Sequence, residues 1–198
     1  MNLRKLLNIF LIFAVFVSWG RIFFAISGKV FGSAGLSSLK YFTILSNLLE
    51  AFASLIWLIK RNEELKYIAA VSVTLTMITV LVFLGPIFGY FAMFAGANLW
   101  LHLLVPLMAL LEVLFLNKTR FDRKANFHAA LPMVIYGIFY LGNILLNGVG
   151  EWPRSNDWYG FCRWGIPVGI GIYFFIAFAT YMIGFCTRKL GELIIKKK

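Results

Sequence analysis

The chain has 198 residues, 61% hydrophobic and 14% charged, with a formal net charge of +11 and a mean hydropathy of +0.85. A water-soluble domain is nearer half apolar and a quarter charged, so these proportions exclude one and predict a membrane protein of one domain, 1–198. The basic residues collect at the ends of apolar runs, which is a topogenic arrangement and excludes a phosphate-binding groove for nucleic acid.

The first apolar run, 6–26, follows Arg4 and Lys5. It is too long for the core of a signal peptide, Arg21 interrupts it, and no small-x-small cleavage site follows, so it reads as a span. The second run, 39–59, ends at Lys60 and Arg61; the third covers 67–88 and the fourth 97–116. A basic hairpin, 118–124, leads to the fifth, 127–147, and a polar loop leads to the sixth, 165–187. Each is near the ~20 residues that cross ~30 Å of hydrocarbon. The expected fold is all-α: a polytopic bundle of six transmembrane helices.

Lys and Arg set the expected orientation. With the N-terminus inside, Arg4, Lys5, Lys60, Arg61, Lys66, Lys118, Arg120, Arg123, Lys124, Arg188, Lys189, Lys196, Lys197 and Lys198 lie on the inner side. The outer side keeps Arg21, Lys29, Lys40, Arg154 and Arg163. Both termini are therefore expected in the cytoplasm. Short loops, lysine richness and the lack of a retrieval signal favour a bacterial cytoplasmic membrane. The Asn117-Lys-Thr119 sequon falls on the side where it would not be used. Cys162 and Cys186 frame the last span, roughly 30 Å apart along a helix, so two free thiols are expected.

Motifs of soluble enzymes are absent: no Gly-rich phosphate loop, Cys-x-x-Cys, His-Glu-x-x-His or Gly-x-Ser-x-Gly. Two histidines and two separated cysteines do not suit a structural zinc site, and neither a metal nor an organic cofactor is expected. Any chemistry falls to polar groups inside the spans.

The second span carries Lys40, Thr43, Ser46, Asn47 and Glu50. At 100° per residue Thr43, Asn47, Glu50 and Ser54 share one face, which in a bilayer must look into the protein or a cavity. His102 lies about five residues into the fourth span. Thr43 and His102 therefore sit at matched depth, roughly 6–8 Å below the outer boundary. An imidazole can take a hydroxyl proton near neutral pH, and a threonine alcohol needs such a base to attack an ester. The structural alternative is that His102 bonds a neighbouring helix and Thr43 its own.

In the fifth span Tyr136, Tyr140, Asn143 and Asn147 recur on one face, as interhelical contacts or as a site wall. Glu50 and Glu112 lie deeper, as structural hydrogen-bond partners or proton carriers. His128, near Lys124, reads as interfacial. Gly85-x-x-x-Gly89 and Gly165-x-x-x-Gly169 permit close helix approach. The loop 148–164, with three Trp, one Tyr and one Phe, suits either a lid at headgroup level or an aromatic belt.

Phe42-Thr43-Ile-Leu-Ser46-Asn47, His102-x-x-x-Pro106 and the Trp/Tyr-rich loop before the last helix resemble a superfamily of six-span membrane proteins. It includes the androgen-induced-gene intramembrane hydrolases, which cleave fatty acid esters of hydroxy fatty acids, and their bacterial relatives. Ser46-Asn47 and the Asn-Asp-Trp-Tyr-Gly loop look like the bacterial branch. The resemblance implies that Thr43 is the nucleophile and His102 the base, with Asn47 in support.

The expected function is hydrolysis of a lipid or fatty-acyl ester from the outer leaflet. Asn47 or Asn143 would donate to the oxyanion, with Ser46 and Tyr140 in the same polar core. Lys40 or Arg163 would meet a substrate carboxylate. Two other readings fit the composition: a small transporter or lipid-binding protein whose polar core holds a solute without reacting, and a membrane scaffold.

Overall fold

Six helices long and apolar enough to cross a membrane make up most of the chain: α1 (Leu3–Phe23), α2 (Phe42–Lys60), α3 (Glu63–Phe88), α4 (Ala97–Leu116), α5 (Lys124–Asn147) and α6 (Ile166–Lys196). They are seen in a computed structural model that describes residues 2–26, 34–151 and 155–196. Lys29, Trp152, Arg154, Lys197 and Lys198, considered above, lie outside the described residues. A 3₁₀ turn, Gly35–Lys40, leads into α2, and a one-turn helix, Tyr90–Met93, sits between α3 and α4. The described residues contain no strand.

Local chemistry sets the boundaries. The Asn2 side chain accepts the Arg4 amide at 3.1 Å and caps α1. Arg61 turns the chain between α2 and α3 in the left-handed conformation, at φ +56°. Asn62 then caps α3 by accepting the Leu65 amide at 3.0 Å, and Glu63 and Glu64 occupy its first turn, where the helix dipole favours negative charge. Helix α3 therefore starts at Glu63, ahead of the apolar run that begins at Tyr67. Helix α6 continues to Lys196 through an Arg188–Glu192 pair at i,i+4 and a Lys189–Glu192 pair at 3.1 Å. Hydropathy ends a span there; side-chain pairing carries the helix further.

Three turns widen to the π form, Val80–Leu84 in α3 and Trp100–Leu104 and Glu112–Leu116 in α4. The first two each precede a proline, Pro86 and Pro106. A proline cannot donate to the carbonyl four residues back, here Val82 and His102, and the loosened turn contains that carbonyl in both cases.

Helix α3 is the centre of the bundle. About two-thirds of its apolar window is buried (67%), against 11% for α6, and it packs on α2, α4, α5 and α6. Tyr67, Val71 and Val73 meet Ala109 and Val113 of α4 and Ala125 and Ala129 of α5. The Tyr67 hydroxyl donates to the Gly184 carbonyl in α6 at 2.6 Å. The outward faces are apolar: Phe13, Ile59, Val82, Phe139 and Phe178 are all more than half exposed. Such a surface suits hydrocarbon and suggests an integral membrane protein.

Helices α5 and α6 touch through Gly137. A methyl there would lie 1.9 Å from the Tyr173 ring, whose hydroxyl donates to the Val134 carbonyl at 3.1 Å. Gly137→Ala is expected to displace that ring and cost about 1–3 kcal/mol. Gly142→Ala, on the same helix with open space around it, serves as the control in thermal unfolding. Equal melting temperatures for the two variants would refute close packing at Gly137.

Candidate functional site

Thr43 stands in the first turn of α2, and Asn47 one turn further along. The Asn47 amide donates twice, to the Thr43 carbonyl at 2.7 Å and to the Leu101 carbonyl of α4 at 2.9 Å. One side chain thus ties the backbone of Thr43 to the residue before His102. Both amide hydrogens are used in doing so, so Asn47 acts here as a brace and offers no donor to an oxyanion. Its buried Oδ1 has no partner. Ser46 adds a second tie, with its hydroxyl 3.2 Å from the Thr43 carbonyl and 3.0 Å from the Thr76 hydroxyl of α3.

His102 is buried inside the π turn before Pro106. Its Nδ1 lies 2.7 Å from the Met93 carbonyl. A carbonyl only accepts, so the ring proton sits on Nδ1 and Nε2 carries the lone pair. Among the described residues neither His102 Nε2 nor the Thr43 hydroxyl makes a hydrogen bond, and the two do not bond each other. The arrangement holds an oriented imidazole with its basic nitrogen unspent, on a turn tied to the threonine's helix.

Thr43 lines a small chamber of about 40 Å³ with Thr76 and Val80 of α3, Met133 and Tyr136 of α5, Tyr159, and Ile176 of α6. That is room for about one water molecule. Beside it runs a larger apolar groove of about 470 Å³ between α2 and α5, walled by Leu45, Leu49, Ile135 and Phe139, with Lys40 and Trp158 at one end. Phe42 and Tyr136 line both spaces and pack together with ring centroids 5.2 Å apart. This ring pair is the partition between groove and chamber.

The described part of the loop that leads into α6, 155–165, folds into this end of the bundle, deeper than a belt on its rim. Asp157 is buried and accepts from the Tyr140 hydroxyl and from the amides of Phe161 (2.9 Å) and Cys162 (2.8 Å). Tyr140, Trp158, Tyr159 and Phe161 form one aromatic cluster, with Tyr159 stacked on Phe161 and Tyr140 edge-on to Trp158, and the Trp158 indole donates to the Tyr136 hydroxyl at 3.0 Å. Tyr159 closes the chamber: its hydroxyl accepts the Phe42 amide at 2.8 Å, at the start of α2. Burial pushes this phenol up to about 12, so it keeps its proton and remains a donor on the chamber wall. Nothing in the sequence pattern singled out Tyr159, because a loop position has no periodicity to read.

The other expected residues divide. The Lys40 ammonium lies over the rings of Tyr41 and Trp158 (5.2 and 5.5 Å), and burial holds it below the usual lysine range. Tyr140 serves the Asp157 clasp. Asn143 accepts from Asn147 at 2.9 Å toward the exposed end of α5, so the Tyr–Asn stripe splits into an inner aromatic part and an outer amide pair. Arg163 is exposed and stacks on Trp164 at 4.8 Å, apart from the chamber lining. Cys162 is buried, Cys186 exposed, and both are free. Among the described residues no group of His, Cys, Asp and Glu is arranged to hold a metal ion.

At the end of the bundle where α1 begins, Glu50 and Glu112 are fully buried in an ion cluster. Lys66 bonds Glu50 and lies 3.0 Å from Glu112, while Arg4 bonds Glu112 at 2.9 Å and Glu63 at 2.8 and 2.5 Å. Arg4 and Lys66, which charge counting assigns to the membrane surface, are buried partners of these carboxylates.

The fold and site define a class, an all-helical bundle of six membrane-length helices with one braced polar site beneath an aromatic loop. Comparison with family models, with curated proteins and with solved structures finds no match for this chain.

Proposed function

We propose that this protein is an intramembrane hydrolase of lipid or fatty-acyl esters, with Thr43 as nucleophile and His102 as base. The supporting observation is the Asn47 brace, which couples the backbone of Thr43 to the turn bearing an imidazole whose Nε2 lone pair is unspent. In this reading the Thr43 Oγ–H proton passes to His102 Nε2 as Oγ attacks the acyl carbon. His102 then returns that proton to the leaving alcohol as its C–O bond breaks. Water, deprotonated by the same nitrogen, hydrolyses the acyl-threonine, releasing the acid and restoring Thr43. Tyr159, which lines the chamber with Thr43 and keeps its proton, would be the donor to the developing oxyanion in this reading.

The small chamber sets a condition on this chemistry. An ester reaches Thr43 only when the Phe42–Tyr136 partition or the loop moves, with its acyl chain lying in the groove. In this reading the termini lie in the cytoplasm and the groove mouth faces the outer leaflet, an orientation that the charge asymmetry of the loops supports.

The groove also favours a second reading, a lipid-binding or transport protein without catalysis. Labelling with a lipid-tailed fluorophosphonate, read by intact mass, separates the two. The hydrolase reading expects an adduct on Thr43 in the wild type that is absent in Thr43→Ala and in His102→Ala. No adduct on folded, lipid-retaining wild-type protein would overturn it.

A further inference from the structure

The ion cluster carries an inference independent of the hydrolase reading. Five charged groups converge there: Arg4 from α1, Glu50 from α2, Glu63 and Lys66 from α3, and Glu112 from α4. Three carboxylates face two cations, so the fully ionised cluster holds one uncompensated negative charge in a low-dielectric interior. Such a charge is costly unless it is neutralised.

Donors and cations counted together identify the carboxylate that is short, since Glu112 meets both Arg4 and Lys66 and Glu50 meets Lys66 alone. Glu63 receives two bonds from Arg4 and a third from the Trp57 indole at 2.8 Å, and its side chain is partly exposed (20%). Glu112 receives Arg4 Nε and the Asn8 amide, both at 2.9 Å, on Oε1; its Oε2 takes no hydrogen bond but has the Lys66 ammonium 3.0 Å away. Glu50 is served on Oε1 alone, by Lys66 and by Ser54 at 3.3 Å. Its Oε2 is buried without any donor. The Lys66 ammonium gives hydrogen bonds to Glu50 Oε1 and Ser54 (2.9 Å) and meets Glu112 Oε2 only as a charge at 3.0 Å, so it satisfies neither orphaned carboxylate oxygen with a hydrogen bond. A further orphan belongs to the same cluster: Asn8, fully buried and bonded to Glu112 through its amide nitrogen, has an unpartnered Oδ1. The site thus lacks a donor hydrogen and a positive charge together.

We propose that this cluster is a proton-binding site, occupied at neutral pH by one proton on Glu50. A carboxylic acid supplies both missing parts at once: it removes the net charge and adds an O–H where acceptors outnumber donors. A monovalent cation would remove the charge without supplying a hydrogen.

Infrared spectroscopy of the purified full-length protein at neutral pH tests this, through the carboxylic-acid C=O stretch and its shift in heavy water. The band is expected in the wild type and absent in Glu50→Gln. Because glutamine mimics a neutral carboxyl group, Glu50→Gln should melt within about 2 °C of the wild type. Glu112→Gln, which takes charge from two cations at once, should melt about 10 °C lower or fail to fold. A wild type without the band, a band that survives in Glu50→Gln, or a Glu50→Gln protein that does not fold would each overturn the proposal. So would a wild-type melting temperature that rises with sodium chloride but not choline chloride and loses that dependence in Glu50→Gln, because the occupant would then be a cation.

Discussion

Lys66→Met will destabilise this bundle by about 3–5 kcal/mol, the scale seen when one partner is removed from a buried ion pair. The methionine fills a similar volume, so packing alone does not account for the loss. What disappears is the ammonium that touches Glu50, Ser54 and Glu112, leaving Glu112 with Arg4 as its one cation beside the Asn8 amide and Glu50 with a single hydroxyl. Lys60→Met is the control, since Lys60 is exposed at the end of α2. Thermal unfolding in one detergent compares them, and equal melting points would mean that Lys66 does not hold the cluster together. Adding Glu50→Gln to Lys66→Met should recover little of the loss, because glutamine replaces a carboxyl group already neutral and the charge that loses its partner is that of Glu112.

The second large effect belongs to the loop. Asp157→Ala strips acceptors from the Tyr140 hydroxyl and from two amides, and each donor left buried without a partner costs about 1–3 kcal/mol. Detachment of the loop should then be at least about a hundredfold easier, since each 1.4 kcal/mol is about tenfold. Cys162, buried under the same clasp, reports it: maleimide labelling should accelerate by about that factor, with exposed Cys186 as the internal reference. Burial, and after it the Asp157 charge, push the Cys162 thiol above its ordinary range, and the thiolate is the reactive form. Wild-type labelling should therefore keep rising beyond the pH at which a free thiol levels off, and Asp157→Ala should move that curve to lower pH. An unchanged Cys162 rate would show that the loop is anchored elsewhere.

How much of this was legible in the sequence depends on the physics behind each feature. Six apolar runs gave six helices, because length and hydropathy are local. The Thr43–Asn47–Glu50–Ser54 face was legible too: three of the four are buried, and Thr43 lines the chamber. Helix boundaries were less legible, shifting by three residues in α1, α2 and α5, and the two largest misses each have a readable reason. The start of α3 is marked by Asn62 and two glutamates, a capping pattern outweighed by their charge, and the end of α6 by spaced ion pairs. The cross-helix partners were not legible. Nothing local distinguishes Lys66, which is buried, from Lys60, which is not; only the arrival of Glu50 and Glu112 from other helices decides it. Tyr159 was hidden for the same reason, since its place over the chamber depends on Asp157 drawing the loop inward.

The π turns have a consequence for the protein's history and for its engineering. A π turn is an α-helix with one residue too many, so deleting a residue from it restores regular winding and rotates everything beyond by about 100°. In α4, removing Leu103 or Leu104, which follow His102 in its π turn, would swing the Glu112 carboxylate out of the ion cluster while leaving His102 in place. Removing one before His102 would turn the imidazole away from the Met93 carbonyl. Helix α4 thus works as two dials on one shaft, one set for each polar centre. Insertions and deletions, more than substitutions, are the changes that would decouple them.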